Sequence, residues 1–267
     1  MSKTIITFLT WCAVLCCAAA LSSCGSSDVT QSLSAGERFE LGKKKFAGED
    51  YLEAISQFEI VKLQFPGSTV ADSAQFYLGE CHYRQEEYLI AAEEYQALKR
   101  NMQASPLVPM AQYKIAMCYY NLSPDSPMDQ AYTRRAIDEF QSFLEYYPSH
   151  EFARDASDKI VLLNTKLARK LYDTGRLYLK MEYYKSATIY FSAVVEKYHD
   201  TEFAEPALLG KVKALIPRKR YDEAKTEIDR FLQKYPESRM KSEAESLARD
   251  IDEGLKSRTA SPGSTTQ

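Results

Sequence analysis

Apolar side chains recur through residues 35–255 at spacings of three and four, the repeat of one buried helical face, with charged and polar residues between them. One unit stands out: an aromatic residue, two residues, Ala, three residues, then a second bulky apolar side chain. It occurs as Tyr51-x-x-Ala54-x-x-x-Phe58, Tyr88-x-x-Ala91-x-x-x-Tyr95, Tyr184-x-x-Ala187-x-x-x-Phe191 and Tyr221-x-x-Ala224-x-x-x-Ile228. Ala136 with Phe140 makes a fifth copy that lacks only the leading aromatic. Alanine marks the closest approach of two helices, since a larger side chain would hold them apart.

The flanks of this unit repeat as well. Gly42, Gly79 and Gly175 each precede the alanine by twelve residues, and Ala116 takes that place in the third copy, after an insertion. Glycine inside a helix costs about 1 kcal/mol relative to alanine, so its recurrence predicts close packing. Pro66, Pro148 and Pro236 follow the alanine by twelve residues, with His199 in the fourth copy. Proline there ends the second helix of each unit, because it cannot continue the hydrogen-bond ladder.

Successive alanines lie 37, 45, 51 and 37 residues apart. Helix-turn-helix units of this length resemble tetratricopeptide repeats. The expected fold is all-α, a tetratricopeptide-repeat solenoid of five repeats over about 35–67, 68–105, 107–149, 151–200 and 202–237. An amphipathic capping helix is expected over 238–255, covering the apolar face a solenoid otherwise leaves open, and a disordered tail over 256–267. Two departures stand out: a long loop from Asn121 to Gln130 and an unbroken helical pattern from about Glu151 to Leu179.

The N-terminus reads differently. A short basic start at Lys3 leads into an apolar run, Ile5 to Leu21, and no strongly basic patch follows it. Leu21-Ser22-Ser23-Cys24 resembles a bacterial lipobox, which implies cleavage after residue 23 and lipid on Cys24. Several buried acyl chains, at about 0.8 kcal/mol per CH₂, would anchor the chain firmly. Residues 24–34 then form a tether with a contour of about 35 Å. Gly25, in place of Asp, after the cysteine favours the outer membrane, and the sparse acidic residues beyond it favour the periplasmic face.

Removal of residues 1–23 takes away one lysine, leaving 33 Lys and Arg against 37 Asp and Glu. That near-balance argues against nucleic acid as a partner. Of six cysteines only Cys81 and Cys118 stay in the fold, free to pair in an oxidising compartment or to remain buried thiols. The three histidines fall in three different repeats, without partners at metal-ligand spacing. Lys43 after Gly42 does not make a phosphate loop, and no serine sits in a nucleophile-elbow context. No enzyme, metal or cofactor is expected.

Solenoids of this kind recognise partners through a groove lined by their inner helices. Aligned by repeat, the candidate groove residues are Phe39, Phe76 and Tyr113, then Phe46, Tyr83 and Tyr120, with Lys43, Glu80 and Met117 between and Arg84 at the edge. Aromatics beside a few charges suit an extended or hairpin peptide. Half of these positions could equally be core between repeats.

Five such repeats behind a lipobox and short tether resemble the BamD family of outer-membrane assembly lipoproteins. The resemblance is most specific from Ala136 through Leu208. There Ala136-x-x-x-Phe140, Tyr147-Pro148-Ser149, Asp155-Ala156, the run Lys159 to Leu163 and Tyr198-x-Asp200-Thr201 look like the family's order and spacing. It implies a lipid-anchored periplasmic scaffold whose C-terminal repeats dock a POTRA domain of BamA. It also implies an N-terminal groove for targeting segments of unfolded outer-membrane β-barrel proteins, with no ATP required. The shorter third-repeat loop and the divergent N-terminal half depart from the family pattern, which bears on contacts to other Bam lipoproteins. Two other readings stay open: a pilus-assembly adaptor lipoprotein, or a SusD-like glycan-binding one. The latter are longer and use tryptophan platforms, and the only tryptophan here is Trp11, within the signal sequence.

Overall fold

The computed structural model describes residues 33–260. The expected signal sequence, Cys24 and most of the tether lie outside the described residues, as does the end of the chain from 261. The described residues form eleven helices: α1 (Ala35–Ala47), α2 (Tyr51–Gln64), α3 (Ala71–Arg84), α4 (Tyr88–Asn101), α5 (Val108–Leu122), α6 (Ala131–Tyr146), α7 (Ala153–Lys180), α8 (Tyr184–Lys197), α9 (Ala204–Leu215), α10 (Tyr221–Lys234) and α11 (Lys241–Ala260). They pair as five antiparallel hairpins and a last helix, a tetratricopeptide-repeat solenoid. First helices of successive repeats also touch, α1 with α3, α7 with α9 and α9 with α11, and so form the inner wall.

Local chemistry sets the boundaries. Ser34 caps α1 in a capping box with Glu37, satisfying donors that the first turn leaves open. Four of the hairpin turns share one backbone device: Glu49, Glu86, Glu182 and Lys219 all take positive φ, between 56° and 63°. Each stands two residues before the leading aromatic of its repeat. A left-handed residue reverses the chain within three positions, at a local cost of about 1–2 kcal/mol for a residue with a Cβ.

The repeated glycines and aromatics are two halves of one contact. A Cβ built on Gly42 would lie 2.6 Å from the Phe58 ring, one on Gly79 2.5 Å from Tyr95, and one on Gly175 2.8 Å from Phe191. Gly210, which the sequence register does not pick out, meets the same Phe191 ring from the next repeat at 2.7 Å. Phe58, Tyr95, Phe140, Phe191 and Phe231 are fully buried. Each contributes about 1.5–3 kcal/mol of burial.

The core is a chain of clusters, each joining one hairpin to the next. Helix α7, about 42 Å long at 1.5 Å per residue, belongs to two of them. Its Leu163 and Leu167 pack with repeat three, and Ala168 packs with repeats four and five.

The long helix and the long loop are one feature. The loop between α5 and α6 lies against α7, where the Lys166 ammonium donates to Ser123 Oγ at 2.9 Å and Lys170 donates to the Met128 carbonyl at 2.6 Å. Inside the loop the buried Gln130 amide donates to the carbonyls of Asp125 and Met128 and accepts from Thr133. The loop thus straps α7 alongside α5 and α6.

At the C-terminus the structure corrects the expected boundary. Helix α11 starts at Lys241 and continues to Ala260, so residues 256–260 are not tail. Ala244 and Ile251 are buried against repeat five, and the Arg258 guanidinium makes two hydrogen bonds to the Asp222 carboxylate, at 2.6 and 2.9 Å. Those partners are supplied by the fold and leave no local pattern. Cys81 and Cys118 are both free and buried.

Candidate peptide groove and its relatives

The structure divides the expected groove residues into two groups. Phe39 and Tyr113 are only 8% exposed, and Glu80 only 9%. Phe39 packs edge-on to Tyr77 and against Phe58, while Tyr113 stacks on Phe152 at 4.6 Å. These three belong to the packing between helices, because the repeats close over them. Phe46, Phe76, Tyr83, Met117 and Tyr120 are half-buried, Lys43 is half-buried beside Phe39 and paired with Glu40, and Arg84 is exposed. A partner on the inner wall would meet this second group.

The inner wall carries two relays of the same design, in consecutive repeats. Tyr95 donates its hydroxyl to Glu80 at 2.5 Å, and Lys114 pairs with the same carboxylate oxygen at 2.7 Å. The Lys114 ammonium then lies 4.8 Å from the centre of the Tyr83 ring. One repeat on, Tyr113 donates to Asp155 at 2.5 Å, Lys159 approaches that carboxylate at 3.5 Å, and its ammonium sits 4.6 Å from the Tyr120 ring. In each relay the cation reaches a tyrosine of the preceding repeat; the carboxylate belongs to that preceding repeat in the first, as Glu80, and to the cation's own repeat in the second, as Asp155. Asn121 adds a hydrogen bond to the Tyr83 hydroxyl at 2.8 Å.

Electrostatics follow from burial. Desolvation, reinforced by Glu80, pushes the Tyr95 phenol well above its ordinary range, and burial with the Asp155 hydrogen bond does the same for Tyr113. Both therefore act as fixed hydrogen-bond donors. Burial raises the thiols of Cys81 and Cys118 to about 12, which leaves them poor nucleophiles.

Sequence reading missed Lys114 and Lys159. They stand six residues from the starts of α5 and α7, but the same place in α3 and α9 holds Tyr77 and Gly210, so the repeat register alone does not single them out. It also missed a cleft of about 480 Å³ between the strap, α7 and the α8–α9 turn, walled by Asp125, Lys166, Arg169, Asp173, Glu202 and Phe203. Among the described residues no group of three His, Cys, Asp or Glu side chains could hold a metal ion. No helix among them is long and apolar enough to cross a membrane.

Comparison with known proteins places this geometry. A family described as YfiO, outer membrane lipoprotein, matches residues 31–216, and a tetratricopeptide-repeat family matches residues 207–238. The outer membrane protein assembly factor BamD of Caulobacter vibrioides is 36% identical over 101 residues, 38% of this chain and 33% of that protein. The BamD of Rickettsia prowazekii is 32% identical over 129 residues, 48% of this chain and 51% of that one. These matches span a third to a half of the relatives' lengths. Among solved structures, a tetratricopeptide repeat protein from Parabacteroides merdae has a TM-score of 0.36 at 16% identity, covering 85% of this chain and 75% of its own. One from Thermus thermophilus has a TM-score of 0.35 at 14% identity, covering 83% and 99%. The first match runs unbroken from ahead of α1 through the long helix to the end of α9, and on that basis the chain belongs to the YfiO family of outer membrane lipoproteins, with proteins named BamD among its relatives.

Proposed function

We propose that this chain is a lipid-anchored scaffold of the β-barrel assembly machinery on the periplasmic face of the outer membrane. Cys24 carries the lipid. The inner wall of repeats one to three receives segments of unfolded outer-membrane proteins, and repeats four and five dock the POTRA region of BamA. The observation that carries the reading is the family match over residues 31–216, which spans four repeats and the strapped long helix. Further support comes from the half-buried ring faces of Phe46, Tyr83 and Tyr120 with the exposed Arg84, which offer apolar area beside charge.

Purification of the detergent-solubilised lipoprotein from its own host is the direct test. BamA should co-purify; recovery of a pilus secretin or a TonB-dependent transporter in its place would overturn the proposal. Tyr83→Ala with Tyr120→Ala should weaken capture of an unfolded barrel protein while BamA still co-purifies. Loss of both together would contradict the division of labour between the two halves.

A further inference from the structure

Between two lysines that tie α7 to repeat three stands an exposed leucine. Lys159 lies over the Tyr120 ring at 4.6 Å, and Lys166 donates to Ser123 Oγ at 2.9 Å, so both reach toward α5. Leu162 comes three residues after the first and four before the second, which puts all three on one face of the helix. Its neighbours are held against α5, yet Leu162 itself is 58% exposed. It therefore projects past them onto the open side of the inner wall. Val161 is exposed as well, but it stands seven residues before Ala168, on the side of α7 that packs with repeats four and five.

We infer that the peptide groove does not end at Tyr120 but runs on across α7, with Leu162 as its last apolar contact, and so takes about nine residues of an extended chain. The inference rests on the reading of the inner wall as the receptor for segments of unfolded outer-membrane proteins. Phe46, Tyr83, Tyr120 and Leu162 stand on α1, α3, α5 and α7, the first helices of successive repeats. Neighbouring helices pack about 10 Å apart, so three steps cover about 30 Å. An extended chain spans that distance at about 3.3 Å per residue. A wall ending at Tyr120 covers about 20 Å and admits about six residues. A membrane-spanning barrel strand has about 9–11 residues, and only the longer wall holds one whole.

The surroundings of Leu162 fit the same occupant. Asp158, one turn before it, and Arg169, two turns after it, carry opposite charges. A charged side chain gains nothing there, whereas an apolar one takes Leu162 out of water. An extended segment also brings backbone donors and acceptors that need partners. Just beyond Leu162 the wall opens into the cleft of about 480 Å³, where Thr165, Lys166 and Arg169 offer donors and Asp125 and Glu202 offer acceptors. The strap closes that end of the groove.

The test is the binding of a fluorophore-labelled barrel segment, one strand long, to the detergent-solubilised lipoprotein, read by anisotropy. Leu162→Glu should weaken binding about tenfold or more. Leu162→Ala, which keeps the helix and adds no charge, should weaken it in the same direction. Val161→Glu, a charge on the neighbouring face, should stay within about twofold of the parent. Trimming the segment to about six residues should cost the parent affinity and cost Leu162→Glu little. Parent-like binding by both Leu162 variants, where Tyr83→Ala with Tyr120→Ala still weakens it, ends the groove at Tyr120 and overturns the inference alone. An equal loss in Val161→Glu overturns it too, because the effect then does not follow the face. If the tyrosine pair and Leu162 all leave binding unchanged, the reading of the inner wall falls together with the inference.

Discussion

Gly79 and Tyr95 lie so close that a single methyl group on the glycine would stand 2.5 Å from the tyrosine ring. The same pairing recurs at Gly42 with Phe58 and at Gly175 with Phe191. It explains why three helices accept a residue that weakens them.

Gly79→Ala therefore sets two effects in opposition. Helix propensity favours alanine by about 0.8–1.0 kcal/mol. Overpacking against a ring fixed by Glu80 costs about 1–3 kcal/mol. The variant should lose up to about 2 kcal/mol in urea unfolding. Gly36→Ala, with nothing within 4 Å, should be neutral or slightly stabilising. Equal responses at both sites would show that the contact has no energetic weight.

The buried relay makes an unequal prediction for its two donors. Tyr95→Phe removes one neutral donor from a carboxylate that keeps its cation and should cost about 1.5 kcal/mol, the low end for a hydrogen bond to a charged group. Lys114→Met leaves Glu80 without its cation and should cost more, about 2–3 kcal/mol for a pair that keeps some exposure. Combining Lys114→Met with Glu80→Gln should recover part of that loss. Thermal unfolding of these variants and of Glu80→Gln alone decides it; additive losses in the double variant would rule the ion pair out.

Alkali should destabilise the fold through its buried thiols and phenols. Below pH 9 a cysteine keeps its proton in both states and contributes no pH dependence. Between 9 and about 12 the unfolded thiol ionises while Cys81 and Cys118 stay protonated, so the unfolded state binds fewer protons and stability falls as pH rises. Each thiol lowers stability by up to about 1.4 kcal/mol per pH unit across that window. Tyr95, with its pKa raised by burial, adds to the fall above its ordinary value of 10. Cys81→Ala and Cys118→Ala should flatten the profile between pH 9 and 10, where the phenols do not yet contribute. An unchanged slope there would locate the effect elsewhere.

The strap should respond locally. Lys170→Met removes the bond to the Met128 carbonyl, and Lys166→Met removes the bond to Ser123. Faster amide exchange and proteolysis within 123–130 are expected, with little change in the midpoint of unfolding. Gln130→Ala should cost more, about 1–3 kcal/mol, because it leaves buried carbonyls without donors. A double lysine variant as protected as the parent would show that Gln130 alone holds the loop.

The sequence by itself determined the repeat architecture, since a period of three and four fixes a helical face and each small residue names the ring it must admit. It determined the hairpin boundaries through proline, and the extent of the long helix through its unbroken pattern. It could not separate Phe39 and Tyr113 from Phe46 and Tyr83, because helical spacing assigns a face while exposure depends on how far the next repeat closes over it. Nor could it show that the long loop and the long helix are bonded to each other, or that α11 runs on to Ala260. Lys170 with Met128 and Arg258 with Asp222 are 42 and 36 residues apart, and only packing brings such partners within hydrogen-bond reach.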